Sequence, residues 1–193
     1  MRILSWNLWW RYGPWEQRRE AIAATLAEIG PDLCGLQEVW DAPGENLAAG
    51  LAERLGMHWC WTAASKERDG LTLGNAILSR WPIAAQAQAA LPAGGPAEEG
   101  RVALYARIDT PGGALPMFTT HLTYGLGRSQ VRVAQVRALA GFVAGHAADP
   151  RRGRTRSGAG SARAPILLPA WCCARQAHSC LRCEQLPASY RRS

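Results

Sequence analysis

The 193-residue sequence predicts a layered α/β sandwich. Three observations lead there. Apolar, β-prone runs alternate with helically spaced segments over the first 55 residues, strand-like runs then follow one another to residue 120, and a long helical segment comes after them. No G-x-G-x-x-G follows a strand, which argues against a doubly wound dinucleotide-binding sheet. Helices in this order can cover the outer faces of two sheets that pack on each other. A hydrophobic content of 48% suits one domain with a real core.

Residues 2–8 are short, apolar and β-prone, and Gly13-Pro14 breaks the run. Over residues 15–29 apolar side chains recur at Ala21, Ile22, Leu26 and Ile29, a helical spacing. Pro14 stands where a helix tolerates proline, and Gly30-Pro31 ends the segment. Residues 32–39 form a second strand, with Leu33, Cys34, Leu36 and Val39 marking it as buried on both faces. Residues 45–55 read as a helix closed by Gly56. Strands follow at 58–62, 73–79, 83–89, 102–109 and 115–120, with a hairpin-like turn at 109–113 and polar loops at 66–70 and 92–100. Residues 127–148 form the longest helix, with Ser129 as N-cap and Val133, Val136, Leu139, Phe142 and Val143 on one face. The nine Trp, several near the N-terminus, serve packing.

Four segments place polar residues within or at the end of such apolar runs: Ser5-Trp6-Asn7, Gln37-Glu38-Val39, the strand holding Asn75 and Arg80, and Thr119-Thr120-His121-Leu122. Side chains delivered this way can converge at one end of a sheet. Carboxylate oxygen suits a hard cation such as Mg²⁺, and imidazole can donate to phosphate oxygen. A carboxylate ending an apolar strand is costly to bury alone, and a divalent cation offsets its charge.

The stretches SWNLWW (5–10), LCGLQEVW (33–40), GNAILSRWPI (74–83), FTTHL (118–122) and RVAQVRAL (132–139) resemble the endonuclease/exonuclease/phosphatase superfamily, the DNase and sphingomyelinase type of metal-dependent phosphodiesterases. The resemblance covers residues 1–148. It implies a four-layer α/β sandwich, two packed mixed β-sheets flanked by helices, with the site at one end of the paired sheets. It implies an Mg²⁺- or Mn²⁺-dependent phosphoester hydrolase acting on nucleic acid, phospholipid or a small phosphoester. Glu38 matches the metal-binding glutamate. Asn7 matches the asparagine beside it, a candidate for metal binding and catalysis, and His121 matches the histidine that donates to phosphate. Arg11, Tyr12 and Asn75 are candidates for touching substrate. Arg80 is expected to serve the fold, and Arg132 with Gln135 to hold the loop after His121.

After residue 149 the chain changes character. Residues 1–149 carry 13 Lys plus Arg and 14 Asp plus Glu, whereas residues 150–193 carry nine Arg and one Glu. The net charge of +7 is therefore no mark of a DNA-binding body. Residues 164–168 resemble the start of the next family strand, yet neither the family's Gly-Asp-Phe-Asn nor its Asp-His pair follows. No Asp occurs after Asp149, and the sole later His is His178. Three readings meet here: a zinc module of Cys172, Cys173, Cys180, Cys183 and His178; a frame-shifted or truncated end; and a basic nucleic-acid tail. The abrupt loss of acids with a burst of Arg, Ser, Cys and Pro favours the second. The expected organisation is thus a family domain at 1–149, incomplete at its C-terminus, and a basic, Cys-rich, disordered tail at 150–193. Such a chain is expected to be an impaired hydrolase, or a non-catalytic remnant or binding module.

The N-terminus shows no signal-peptide pattern and no apolar stretch reaches spanning length, so a cytoplasmic monomer with buried thiols at Cys34 and Cys60 is expected.

Overall fold

In the computed structural model, which describes residues 1–64, 70–95, 100–147 and 165–170, the elements run β1 (Ile3–Asn7), α1 (Trp15–Ile29), β2 (Leu33–Ala42), β3 (Glu45–Asn46), α2 (Leu47–Leu55), β4 (His58–Ala63), β5 (Thr72–Ser79), β6 (Ile83–Leu91), β7 (Arg101–Thr110), β8 (Gly113–His121), α3 (Ser129–Ala147) and β9 (Ile166–Ala170). They form two mixed sheets. One has the order β1-β2-β5-β4 with β3 attached to β2, and the other has the order β6-β7-β8-β9. β1 pairs with β2 and β9 with β8 in parallel, and the remaining pairs are antiparallel.

Alternation along the strands builds the layers. On β2, Leu33 joins Cys60, Ile77, Leu104, Ile108, Leu115 and Met117 between the sheets. Cys34, Leu36 and Val39 instead pack with Ile22 and Leu26 of α1 and Leu47 and Leu51 of α2. Leu139 of α3 packs with Leu91, Ala103 and Leu122 on the far side of the second sheet. Helix, sheet, sheet and helix are the four layers expected. Each fully buried Leu or Ile contributes about 1.5–3 kcal/mol relative to exposure.

Three local differences from the sequence reading have physical causes. The helix expected at 45–55 begins two residues later. Glu45 and Asn46 pair with Ala42 and Asp41, and the Asn46 side chain then caps α2 by accepting from the N–H groups of Ala48 and Ala49. On α3, Val133 and Val136 are exposed, while Gln135, Leu139, Phe142 and His146 follow the spacing that faces the sheet. A buried glutamine interrupts that apolar stripe because it holds a loop, as described below. β2 also runs past Val39, through an irregularity at Glu38.

Gly30 closes α1 at φ 55°, its N–H reaching Leu26 O at 2.9 Å. Gly74 answers to space: a Cβ there would lie 2.1 Å from the Thr62 carbonyl oxygen of the neighbouring strand. Cys34 and Cys60 are buried and unbridged, and burial pushes both thiols up to about 12. No helix among the described residues is long and apolar enough to cross a membrane. β9 lies within the region that charge sets apart and runs beside β8. The basic stretch 150–163 and the candidate zinc ligands Cys172, Cys173, Cys180, Cys183 and His178 lie outside the described residues, as do 66–69 and 96–99 of the two polar loops.

Candidate active site

A row of polar side chains crosses one end of both sheets. Asn7 of β1 and Asn75 of β5 both stand opposite Gln37 of β2, and Thr62 of β4 stands opposite Asn75. From this row Gln37 Nε2 donates to Thr119 Oγ1 at 2.8 Å, and Asn75 Nδ2 donates to Val102 O at 2.9 Å. Thr62 Oγ1 donates to Gln88 Oε1. Each of these bonds joins the first sheet to the second. Hydrophobic packing holds the sheets together elsewhere, but it does not fix their register; directed hydrogen bonds between buried groups do.

Glu38 is the extra residue between the Gln37–Asn75 and Val39–Gly74 pairs, a β-bulge. Its φ of 54° is left-handed, a conformation that a non-glycine side chain adopts at a cost of about 1–3 kcal/mol. The bulge takes its carboxylate out of strand alternation. Asn7 Nδ2 donates to Glu38 Oε1 at 2.8 Å, and His121 Nδ1 lies 3.7 Å from the same oxygen. Asn7, Glu38 and His121, expected to converge, do so from β1, β2 and β8.

The Asn7 amide has an assigned sense. Its Oδ1 accepts from Trp9 N–H at 2.9 Å, which leaves the nitrogen for the carboxylate. As arranged, Asn7 steadies Glu38, and its metal-binding capacity lies in the second lone pair of Oδ1.

His121 is 4% exposed. Arg101 Nη1 lies 3.0 Å from its Nδ1. A guanidinium can only donate, so Nδ1 accepts and the ring proton sits on Nε2. The 3.7 Å gap to Glu38 is too long for a competing hydrogen bond. Burial, with the Arg101 charge second, pulls the ring down to about 4. His121 is therefore a neutral imidazole at neutral pH, and its contact with Glu38 is not an ion pair. The Nε2–H is buried and has no partner among the described residues. Such a donor costs about 1–3 kcal/mol until an acceptor arrives.

The remaining candidates divide. The Arg11 guanidinium lies over Trp15 and Trp40, 4.2 and 4.0 Å from the ring centroids, and is held by indole faces. Tyr12 is half-exposed beside Trp9 and Trp10. Asn75 is buried, with its amide nitrogen committed to the second sheet. Arg80 pairs with Asp32 at 2.7 Å, just ahead of β2 and six residues before Glu38, in keeping with a role in the fold. Gln135 accepts from Thr123 N–H at 3.0 Å and donates to Pro92 O and Thr123 Oγ1, each at 2.9 Å. Arg132 donates to Thr123 O and Gly125 O. This pair holds the loop after His121, as expected.

Arg101 and Gln37 escaped the sequence reading. Arg101 opens a strand between what reads as a polar loop at 92–100 and a strand at 102–109, and its partner is 20 residues away. Gln37 directly precedes Glu38 in a buried strand, and a glutamine inside an apolar run was the one available signal.

Among the described residues no group of three or more His, Cys, Asp or Glu could enclose a metal ion. Mg²⁺ does not require one: it is commonly held by one or two carboxylates, with waters and substrate phosphate completing its shell. One hard carboxylate, presented by a strained bulge and steadied by an amide, fits that habit.

The profile of the Endonuclease/Exonuclease/phosphatase family matches residues 4–168. A crystal structure of an endonuclease/exonuclease/phosphatase from Beutenbergia cavernae DSM 12333 is 26% identical with a TM-score of 0.61, over 74% of this chain and 44% of that one. The Bacteroides thetaiotaomicron VPI-5482 mannosyl-6-phosphatase is 18% identical with a TM-score of 0.62, over 77% and 60%. The human Nocturnin catalytic domain with bound sulfate anion is 22% identical with a TM-score of 0.59, over 75% and 60%. The last two bear on the fold alone. The chain thus spans about half the length of the solved structures it matches. No curated protein matches it.

Proposed function

Because the chain belongs to the endonuclease/exonuclease/phosphatase family, whose members are hydrolases of phosphoesters, we propose that Glu38, Asn7 and His121 form one half of a divalent-metal-dependent phosphoester-hydrolysing site. The observation that carries this reading is the single point shared by three strands: Glu38 Oε1, with Asn7 Nδ2 at 2.8 Å and His121 Nδ1 at 3.7 Å.

Glu38, with Asn7 beside it, would hold Mg²⁺ or Mn²⁺, which when bound neutralises charge on a phosphoryl group. The chain's own residues supply the rest. Asn7 orients the carboxylate and keeps its Oε1 from turning away. Arg101 sets the His121 tautomer so that Nε2–H is the donor. That donor meets a phosphoryl oxygen and stabilises charge gathering there as water attacks the ester. His121 does not act as the proton acceptor, since its Nδ1 lone pair is taken by Arg101 and its Nε2 already carries the ring proton. Tyr12 is the candidate best presented to substrate; Arg11 and Asn75 reach it only by leaving their present partners. Nucleic acid, a phospholipid or a small phosphoester all present the phosphoryl group this reading requires.

We assign no general base among the described residues. The 193 residues hold no Asp after Asp149 and no paired Asp-His. Loss of a general base typically costs 10²–10⁴-fold, about that much of the rate, so turnover by this chain is expected to be slow. The test is hydrolysis of bis-p-nitrophenyl phosphate and of plasmid DNA with Mg²⁺ or Mn²⁺. Slow, metal-dependent turnover abolished by Glu38→Ala supports the enzyme. Turnover indifferent to Glu38→Ala, or none from a folded chain, supports a non-catalytic binding module.

A further inference from the structure

The loop that follows β1 is strained in two consecutive residues. Trp9 and Trp10 have φ of 59° and 39°, left-handed values that bulky side chains avoid. Left-handed geometry turns successive carbonyls out of any strand ladder, so they need donors from elsewhere. One side chain supplies most of them, and Tyr12 N–H adds a 3.3 Å bond to Trp9 O. Arg18, in the first turns of α1, donates from Nε to Leu8 O at 3.2 Å and from Nη1 to Tyr12 O at 2.7 Å. Its Nη2 donates to Trp9 O at 3.0 Å and to Trp10 O at 2.9 Å. The guanidinium carbon also lies 5.0 Å from the centre of the Trp9 ring. A rigid planar fork of five N–H groups can serve four carbonyls at once; an ammonium cannot.

The same loop fixes Asn7. Trp9 N–H donates to Asn7 Oδ1, and that bond directs Asn7 Nδ2 toward Glu38 Oε1. We propose that Arg18 is a positioning residue for the site: by holding the Leu8, Trp9, Trp10 and Tyr12 carbonyls it keeps Trp9 N–H on Asn7, and through Asn7 it orients Glu38. Arg18 touches neither carboxylate nor imidazole. It acts through a backbone N–H two residues from the asparagine. Without the fork the two left-handed tryptophans relax toward ordinary backbone angles, Trp9 N–H leaves Oδ1, and the Asn7 amide is free to rotate.

The functional consequence rests on the reading of Glu38 as a metal ligand; the coupling of Arg18 to Asn7 does not. The experiment is side-chain amide NMR of the ¹⁵N-labelled full chain, with Arg18→Lys as the main variant and Arg18→Met as the second. Gln37 and Asn75 carry buried side-chain amides in the same row and serve as controls for the fold. In Arg18→Lys the Asn7 amide protons are expected to exchange with water about tenfold faster, as losing one ordinary hydrogen bond would allow, while those of Gln37 and Asn75 keep their positions and rates. An unchanged Asn7 amide in both variants overturns the proposal, and so does a change shared equally by all three amides. Mn²⁺ added to the unmutated chain separates the two claims. If Mn²⁺ leaves the Asn7 signal sharp, the metal reading fails, and the metal-free spectra still decide the role of Arg18.

Discussion

Asn7 and Glu38 are 31 residues apart in the chain, and Asn7 Nδ2 donates to Glu38 Oε1 at 2.8 Å. The bond forms because β1 lies parallel to β2 with Asn7 opposite Gln37, and the bulge then brings the next residue back toward β1. A carboxylate and an amide are thereby paired at a sheet end where a second carboxylate would repel the first.

That repulsion is testable. Asn7→Asp places two carboxylates within hydrogen-bonding distance, and the metal-free protein is expected to lose about 1–3 kcal/mol of stability. A cation held between them stabilises the folded chain by mass action, so Mg²⁺ should recover much of the loss. Urea unfolding with and without Mg²⁺ checks both halves. Equal deficits in the two conditions would mean that no cation sits beside Glu38.

Gln37 and Thr119 join the two sheets next to the site. Each single change, Gln37→Leu or Thr119→Val, should cost about 1–3 kcal/mol. Because the side chains touch, the double mutant should lose less than the sum by about 0.5 kcal/mol or more. Strict additivity in a double-mutant cycle would show that the bond does not hold the sheets.

Gly74 faces Ala63 across β4 and Val39 across the bulge. Gly74→Ala drives a methyl group into the Thr62 carbonyl, which can yield only if β4 moves. A loss of about 1–3 kcal/mol or more is expected, the cost of overpacking a tight site. A thermal midpoint equal to that of the unmutated chain would contradict the close approach.

Acid stability should depend on Asp32, far from the site. The Arg2 backbone N–H, then the Arg80 and N-terminal charges, hold its carboxyl below the ordinary 3.8. A depressed carboxylate adds stability that is complete above the unfolded value and is lost as pH falls through the folded one. Asp32→Asn should therefore lower stability at neutral pH and flatten the fall below about pH 4. Parallel acid-unfolding curves for the two proteins would contradict this.

The sequence made the layers legible because breakers and periodicity are local. Gly13-Pro14 and Gly30-Pro31 bracket α1, and apolar runs mark β1, β2, β5 and β8. Glu38 and His121 were legible for the same reason, as polar residues of apolar strands, Glu38 within β2 and His121 at the end of β8. What escaped depends on distant partners. The left-handed φ of Glu38 is held by pairing on both sides of β2, which no propensity records. Arg101 reads as the edge of a loop until β7 and β8 pair, and Asn46 reads as helix until β3 pairs with β2. Arg11 stands in the loop near Asn7, yet Trp15 and Trp40 hold it, a stacking visible only after α1 meets β2.

The most direct test is a crystal structure of the chain soaked with Mn²⁺ and inorganic phosphate. An anomalous peak for Mn²⁺ is expected on the Glu38 carboxylate, with a phosphate oxygen within hydrogen-bonding distance of His121 Nε2. Mn²⁺ bound away from Glu38, or phosphate bound with Nε2 still bare, would contradict it.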